Sequence, residues 1–80
     1  MANLFEEVKN MIVEKLHVTP EKITEDAHFI NDLGADSLDI TTLLMEVNEK
    51  YGIDIPDEDA QKLDTVGKLV GYLKEKLGKE

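Results

Sequence analysis

The chain has 80 residues and a mass of 9.0 kDa, which allows one small domain and leaves little room for a deep catalytic cleft. Eighteen acidic residues against nine lysines give a net charge of −9, which argues against nucleic acid or an anionic membrane as a partner and favours basic partners. Cysteine is absent, which excludes disulfides, thiolate metal sites and a cysteine nucleophile.

The first predicted element is an amphipathic helix from about Asn3 to Leu16. Its apolar residues recur at steps of three and four, as on one face of a helix: Leu4, Phe5, Val8, Ile12 and Leu16. We expect Thr19-Pro20 to stop this helix, because the residue before a proline is pushed out of helical geometry.

A long ordered loop is predicted from there to about Asp36. It mixes Pro, Thr, Asp, Asn and Gly, and its apolar residues are expected to attach it to the core: Ile23, Phe29, Ile30 and Leu33. Loops of this length are uncommon and often functional.

A second helix is predicted to begin at Asp36 or Ser37 and to end near Tyr51-Gly52, where glycine takes its preferred C-terminal position. Asp36 and Asp39 have the spacing of a capping box, with Asp in place of the usual Glu or Gln. One side of this helix is expected to face the core: Ile40, Leu43, Leu44, Val47 and Tyr51.

Roughly opposite that core side, Leu38 and Met45 form a second apolar stripe. Asp39, Glu46 and Glu49 lie near it. Two exposed apolar side chains surrounded by acids are typical of a docking surface for a basic partner. The alternatives are a helix buried nearly all round and two residues exposed by chance.

The remainder of the chain predicts two more helices. After an extended linker, three consecutive acids favour a short helix from about Asp57 to Lys62. The last helix should be capped by Asp64 or Thr65 and closed by Gly78. Its apolar face comprises Val66, Leu69, Val70, Leu73 and Leu77.

Two glycines, Gly67 and Gly71, lie one turn apart in that last helix and weaken it intrinsically. We expect them to admit a close neighbour, with fraying of the helix as the alternative. No strand is predicted. The fold class is therefore all-α: a small four-helix bundle with three main helices, a short third helix, and a long loop between the first two.

Ser37 is the only serine and lies in the first turn of the second helix, where backbone N–H groups and the helix dipole favour a phosphate. The alternative role is that of a helix cap. A hydrolase is disfavoured, because the chain lacks a Gly-x-Ser-x-Gly turn and its histidines, His17 and His28, belong to or adjoin the loop. We predict no catalytic residue and, since the acidic clusters lack calcium-loop spacing, no dedicated metal site.

No apolar run approaches the length of a membrane span, and the first ten residues do not resemble a secretory signal. The simplest expectation is a cytoplasmic protein, with a mature organellar protein as the alternative. The acidic surface favours a monomer.

Residues 32–39, with the sequence DLGADSLD, resemble the acyl carrier protein family. The resemblance continues through residues 51–60 and 64–66 and covers about residues 3–77, so we expect one acyl-carrier domain over residues 1–80.

This resemblance implies that a phosphopantetheinyl transferase attaches 4′-phosphopantetheine from coenzyme A to Ser37. Growing fatty acyl chains would then be held on it as thioesters and delivered to the enzymes of fatty acid synthesis. Those enzymes would have basic surfaces and bind Asp36, Leu38, Asp39, Met45 and Glu49. The acyl chain would be sheltered by Val47, Ile55, Leu63 and Leu69, whose alternative role is structural.

Three positions depart from the family pattern. Thr42 replaces a common Glu, Thr41 a common apolar residue and Asn48 an acid, which makes the recognition face less acidic. The leading interpretation is a free-standing carrier of a dissociated fatty-acid synthase. The alternatives are a discrete carrier for polyketide or another specialised acyl product, an acidic non-catalytic adaptor in which Ser37 is only a cap, and a tiny serine hydrolase.

Overall fold

Four α-helices make up the architecture of residues 3–78, which are the residues described by the computed structural model. In chain order the helices are α1 (Leu4–Leu16), α2 (Ser37–Tyr51), α3 (Asp57–Ala60) and α4 (Val66–Leu77). Within residues 3–78 the only extended pairing is an isolated bridge between His28 and Thr65. The predicted all-α bundle with a short third helix and a long first loop is confirmed, while both ends of the expected 1–80 domain fall outside the described residues.

Short-range hydrogen bonds cap both ends of α1. The side chain of Asn3 accepts the N–H of Glu6 at 2.8 Å. At the other end His17 adopts a left-handed conformation with φ 57°, and its N–H donates to the Val13 carbonyl at 3.0 Å. The predicted end at Leu16 is confirmed, although the left-handed His17 closes the helix before Thr19-Pro20 is reached.

The three long helices supply most of the core, and the loop and the linker after α2 supply the rest. Its completely buried side chains are Val8, Ile12, Leu43, Val47, Val66, Leu69 and Leu73. Helix α1 packs against both α2 and α4, whereas α3 contributes no buried residue. The bundle is thus built on three helices, and α3 lies at its edge.

Two polar contacts join α1 to α2. The Tyr51 hydroxyl donates to Glu7 Oε1 at 2.6 Å, and partial burial together with that carboxylate raises the pKa of Tyr51. Lys15 Nζ lies 3.4 Å from Glu46 Oε1. Glu46 is therefore engaged with α1, although the helical pattern places it near the exposed stripe of α2.

Most of the long loop packs as predicted, with Ile23, Phe29 and Leu33 buried. The prediction that Ile30 helps attach the loop to the core is wrong, since this residue is 61% exposed. Ile30 follows buried Phe29 at the start of a turn in which the Gly34 N–H donates to the Ile30 carbonyl at 3.2 Å. This turn leaves the Ile30 side chain on the outer side of the loop.

The same loop also satisfies backbone groups at the start of α4. The N–H groups of Val66 and Gly67 donate to the carbonyls of Ala27 and Glu25 at 3.0 and 2.9 Å. A Cβ atom at Gly67 would lie only 2.8 Å from the Glu25 carbonyl oxygen, so the predicted close approach is confirmed there. It is wrong for Gly71, where a Cβ atom would meet nothing within 4 Å.

The remaining helix ends follow sequence signals closely. Gly52 and Gly78 close α2 and α4 in left-handed conformations, with φ of 71° and 70°, and Thr65 caps α4. Helix α3 is shorter than predicted and does not extend to Lys62. After α3 the Lys62 N–H bonds to the Asp59 carbonyl at 3.0 Å, which is the tighter spacing of a 3-10 turn.

Candidate functional site

The N-terminus of α2 is capped by aspartates, which leaves the neighbouring serine hydroxyl available. Asp36 Oδ1 accepts the Asp39 N–H at 2.9 Å, and Asp39 Oδ2 accepts the Asp36 N–H at 3.3 Å, which completes the predicted capping box. Ser37 is the first residue of the helix and is exposed. Asp36 is therefore the helix cap, which was the alternative role considered for Ser37.

Two backbone N–H groups at the start of α2 have no carbonyl partner within the helix. The first intrahelical bond runs from the Ile40 N–H to the Asp36 carbonyl at 3.0 Å, so the amides of Ser37 and Leu38 precede it. Together with the positive end of the helix dipole, such amides favour an anion. The arrangement suits a phosphate group attached to the Ser37 oxygen.

Ser37 also borders an open groove with a volume of about 750 Å³. The loop, α2, the linker after α2 and α3 all contribute to its wall. Its lining includes four half-buried apolar residues, Ile40, Leu44, Ile55 and Leu63, and two exposed ones, Ile30 and Met45. This volume lies within the range typical of small-molecule sites, about 300–1,000 Å³.

The four residues expected to shelter an acyl chain are divided between this groove and the core. Ile55 and Leu63 line the groove, whereas Val47 and Leu69 are buried in the core and are not among its lining residues. Ile40 and Leu44, which the helical pattern predicts to face the core, pack against the core and also line the groove. Their distances of three and seven residues from Ser37 place them on its side of α2, which is a signal the sequence contains.

The residues expected to contact partners are accessible to different degrees. Leu38 is 76% exposed and Met45 is 60% exposed, as the helical pattern predicted. Asp36 and Glu49 are also exposed, and Asp39 is half-buried. Met45 and Glu49 line the groove that Ser37 borders.

The groove is acidic. Its lining includes the carboxylates of Glu49, Asp54, Asp57 and Asp64, and among the described residues no lysine lines it. Lys68 Nζ lies 2.9 Å from Asp64 Oδ1, and this hydrogen bond holds the pKa of Asp64 below its usual value. A ligand or partner that approaches the groove therefore meets negative charge.

The two histidines do not form a catalytic pair with Ser37. His17 ends α1, and the hydrogen bonds of residues 3–78 include none between Ser37 and His28, although His28 lines the groove. Asp32 Oδ2 accepts the His28 backbone N–H at 2.8 Å, which lowers the pKa of Asp32. Across the described chain, no three His, Asp or Glu side chains are grouped to hold a metal ion. Among these residues, no helix has the length and apolarity needed to cross a membrane.

The fold and the site define a small helical domain with an exposed serine at a helix start, beside a groove lined by apolar and acidic residues. Residues 6–73 match the family model described as the phosphopantetheine attachment site. The chain is also 49% identical over 70 residues to an acyl carrier protein from Wolinella succinogenes, covering 88% of this chain and 92% of that protein. The chain therefore belongs to the acyl carrier protein family, a family of carriers rather than enzymes whose cofactor is 4′-phosphopantetheine.

Proposed function

We propose that Ser37 is the residue at which this acyl carrier of fatty acid synthesis receives 4′-phosphopantetheine. One observation carries the proposal: Asp36 caps α2, so the hydroxyl of Ser37 is exposed and not required to stabilise the helix. The hydrogen-bond donors at this helix end suit the phosphate of the cofactor, because the backbone N–H groups of Ser37 and Leu38 can bind a phosphodiester.

The proposed attachment is a phosphoryl-type transfer to Ser37. The Ser37 oxygen forms a new bond to phosphorus, the phosphoanhydride of coenzyme A breaks, and the nucleotide half leaves while the hydroxyl proton is lost. The transferase supplies the catalytic groups for this step, and this chain supplies the accessible hydroxyl. When attached, the cofactor gives a cysteine-free chain the thiol that holds acyl groups as thioesters.

We assign the sheltering of acyl cargo to the groove beside Ser37. Its apolar wall of Ile40, Leu44, Ile55 and Leu63 can cover methylene groups, each worth about 0.8 kcal/mol when removed from water. Val47 and Leu69, the other two candidates, belong to the buried core against which this wall packs.

Charge and exposure support the proposed partner surface. Residues 21–64 contain thirteen acids and three lysines, a net charge of −10. Enzymes with basic surfaces, including the phosphopantetheinyl transferase, would bind this region through Asp36, Leu38, Asp39, Met45 and Glu49. We further propose that residues 1–80 act as one monomeric carrier domain in the cytoplasm.

The test is the intact mass of the protein after incubation with coenzyme A and a broad-specificity phosphopantetheinyl transferase. The parent chain should gain one phosphopantetheine group, and the Ser37→Ala variant should gain none. Equal gains in both would place the attachment elsewhere. No gain in a folded, initially unmodified parent would favour the acidic adaptor.

A further inference from the structure

Ile30 is a large apolar residue that is exposed and does not belong to the core. Among the described residues the exposed large apolar side chains are Ile30, Leu38 and Met45. Single exposed apolar residues are ordinary on protein surfaces. Two of them are connected by the groove, which Ile30 and Met45 both line, and Leu38 lies two helical turns before Met45 on the same exposed face of α2. Several exposed apolar side chains on neighbouring surfaces are typical of an interaction site.

The backbone holds Ile30 in a defined position. The N–H groups of Asp32 and Leu33 both donate to the His28 carbonyl at 3.0 Å, and the Gly34 N–H donates to the Ile30 carbonyl at 3.2 Å. Ile is also β-branched, so its side chain has few rotamers to lose. Little conformational entropy is therefore lost when a partner covers it.

The surrounding charge identifies the kind of partner. Four carboxylates and no lysine line the described groove, and residues 21–64 carry a net charge of −10. A second copy of this chain, with its own charge of −9, would be repelled, and so would an anionic membrane. The partner that fits is a protein surface with an apolar patch surrounded by Lys and Arg.

We infer that Ile30 is a third apolar contact in the docking surface of this carrier, supplied by the loop while Leu38 and Met45 come from α2. This inference rests on the proposed function and extends it to a residue outside α2. Partner binding would then involve both sides of the groove beside Ser37. The phosphopantetheinyl transferase is the partner with which the inference can be tested first.

The experiment compares Ile30→Val with Ile30→Thr. Val and Thr have nearly the same shape, so the pair differs mainly in one methyl group against one hydroxyl. The measurement is the KM of a broad-specificity transferase for each carrier, at 10 °C and with circular dichroism to verify that both are folded. We expect the Thr variant to have a KM about fivefold or more above that of the Val variant, because its hydroxyl must be desolvated in the interface.

Varying the salt concentration distinguishes the apolar contribution of Ile30 to binding from the contribution of charged residues. The difference between the two Ile30 variants should persist from 50 mM to 500 mM salt, whereas a defect caused by Glu49→Lys should shrink as charges are screened. Equal KM values for the two Ile30 variants, with the wild-type chain fully loaded, would overturn the inference and leave the proposed function standing. A wild-type chain that is never loaded would overturn both.

Discussion

Gly67 and Gly71 are one turn apart in α4 but have opposite surroundings, and this difference predicts opposite effects of the same substitution. At Gly71 an added Cβ atom meets nothing within 4 Å. Gly71→Ala should therefore show only the gain in helix propensity, about 0.8–1.0 kcal/mol. For a domain of this size that gain corresponds to a melting temperature higher by about 4–8 °C.

At Gly67 the added Cβ atom would lie 2.8 Å from the Glu25 carbonyl oxygen and 3.2 Å from Glu25 Cβ. The Glu25 carbonyl oxygen belongs to the backbone, so a change of side-chain rotamer cannot relieve this close contact. Moving the Glu25 carbonyl also weakens the 2.9 Å hydrogen bond it accepts from the Gly67 N–H. Strain of about 1–3 kcal/mol, with the weakened bond, should outweigh the propensity gain. We expect Gly67→Ala to be destabilised by about 1–2 kcal/mol.

Thermal and urea unfolding of the two alanine variants, followed by circular dichroism at pH 7, measures this difference directly. The wild-type chain provides the reference for both. If Gly67→Ala proved as stable as Gly71→Ala, the close approach of the loop to α4 would be wrong, together with the contact that attaches the loop to this helix.

Three further predictions concern charge. Glu49→Lys should raise the KM of a partner enzyme for the carrier while the circular dichroism spectrum stays unchanged, and Asp39→Lys should do the same with a lower melting temperature, because it also removes a cap bond of α2; unchanged transfer rates in both would contradict a steering role. Salt or divalent cations should raise the melting temperature by screening the net charge of −10 in residues 21–64, which a melting temperature independent of ionic strength would refute. The folded-state pKa of Asp32 lies below its ordinary value of 3.8, so its bond to His28 stabilises the fold above that pH and is lost as the pH falls through the lowered pKa. Asp32→Ala should accordingly melt below the wild type at pH 7, and the gap should close in acid; a gap independent of pH would oppose this explanation.

Features governed by neighbours in the chain were predictable from the sequence. The capping pair Asp36 and Asp39 fixed the start of α2, and Gly52 marked its end, because both signals depend on backbone groups a few residues away. The exposure of Leu38 and Met45 followed from helical periodicity alone.

Features governed by distant contacts were not predictable in the same way. The exposure of Ile30 depends on a turn closed by backbone bonds, and periodicity carries no information about such bonds. The different surroundings of Gly67 and Gly71 depend on where the Glu25 carbonyl lies. The groove lining was only partly anticipated, because Ile40 and Leu44 are apolar residues that suit a core equally well.

The most direct test of the central claim is to locate the modified residue after loading with the transferase. Trypsin cleavage after Lys22 and Lys50 releases a peptide of residues 23–50, which contains Ser37 together with three threonines: Thr24, Thr41 and Thr42. Fragmentation of this peptide by tandem mass spectrometry should place the phosphopantetheine mass on Ser37 alone. A mass on any of the threonines, or an unmodified peptide from a loaded chain, would contradict the claim.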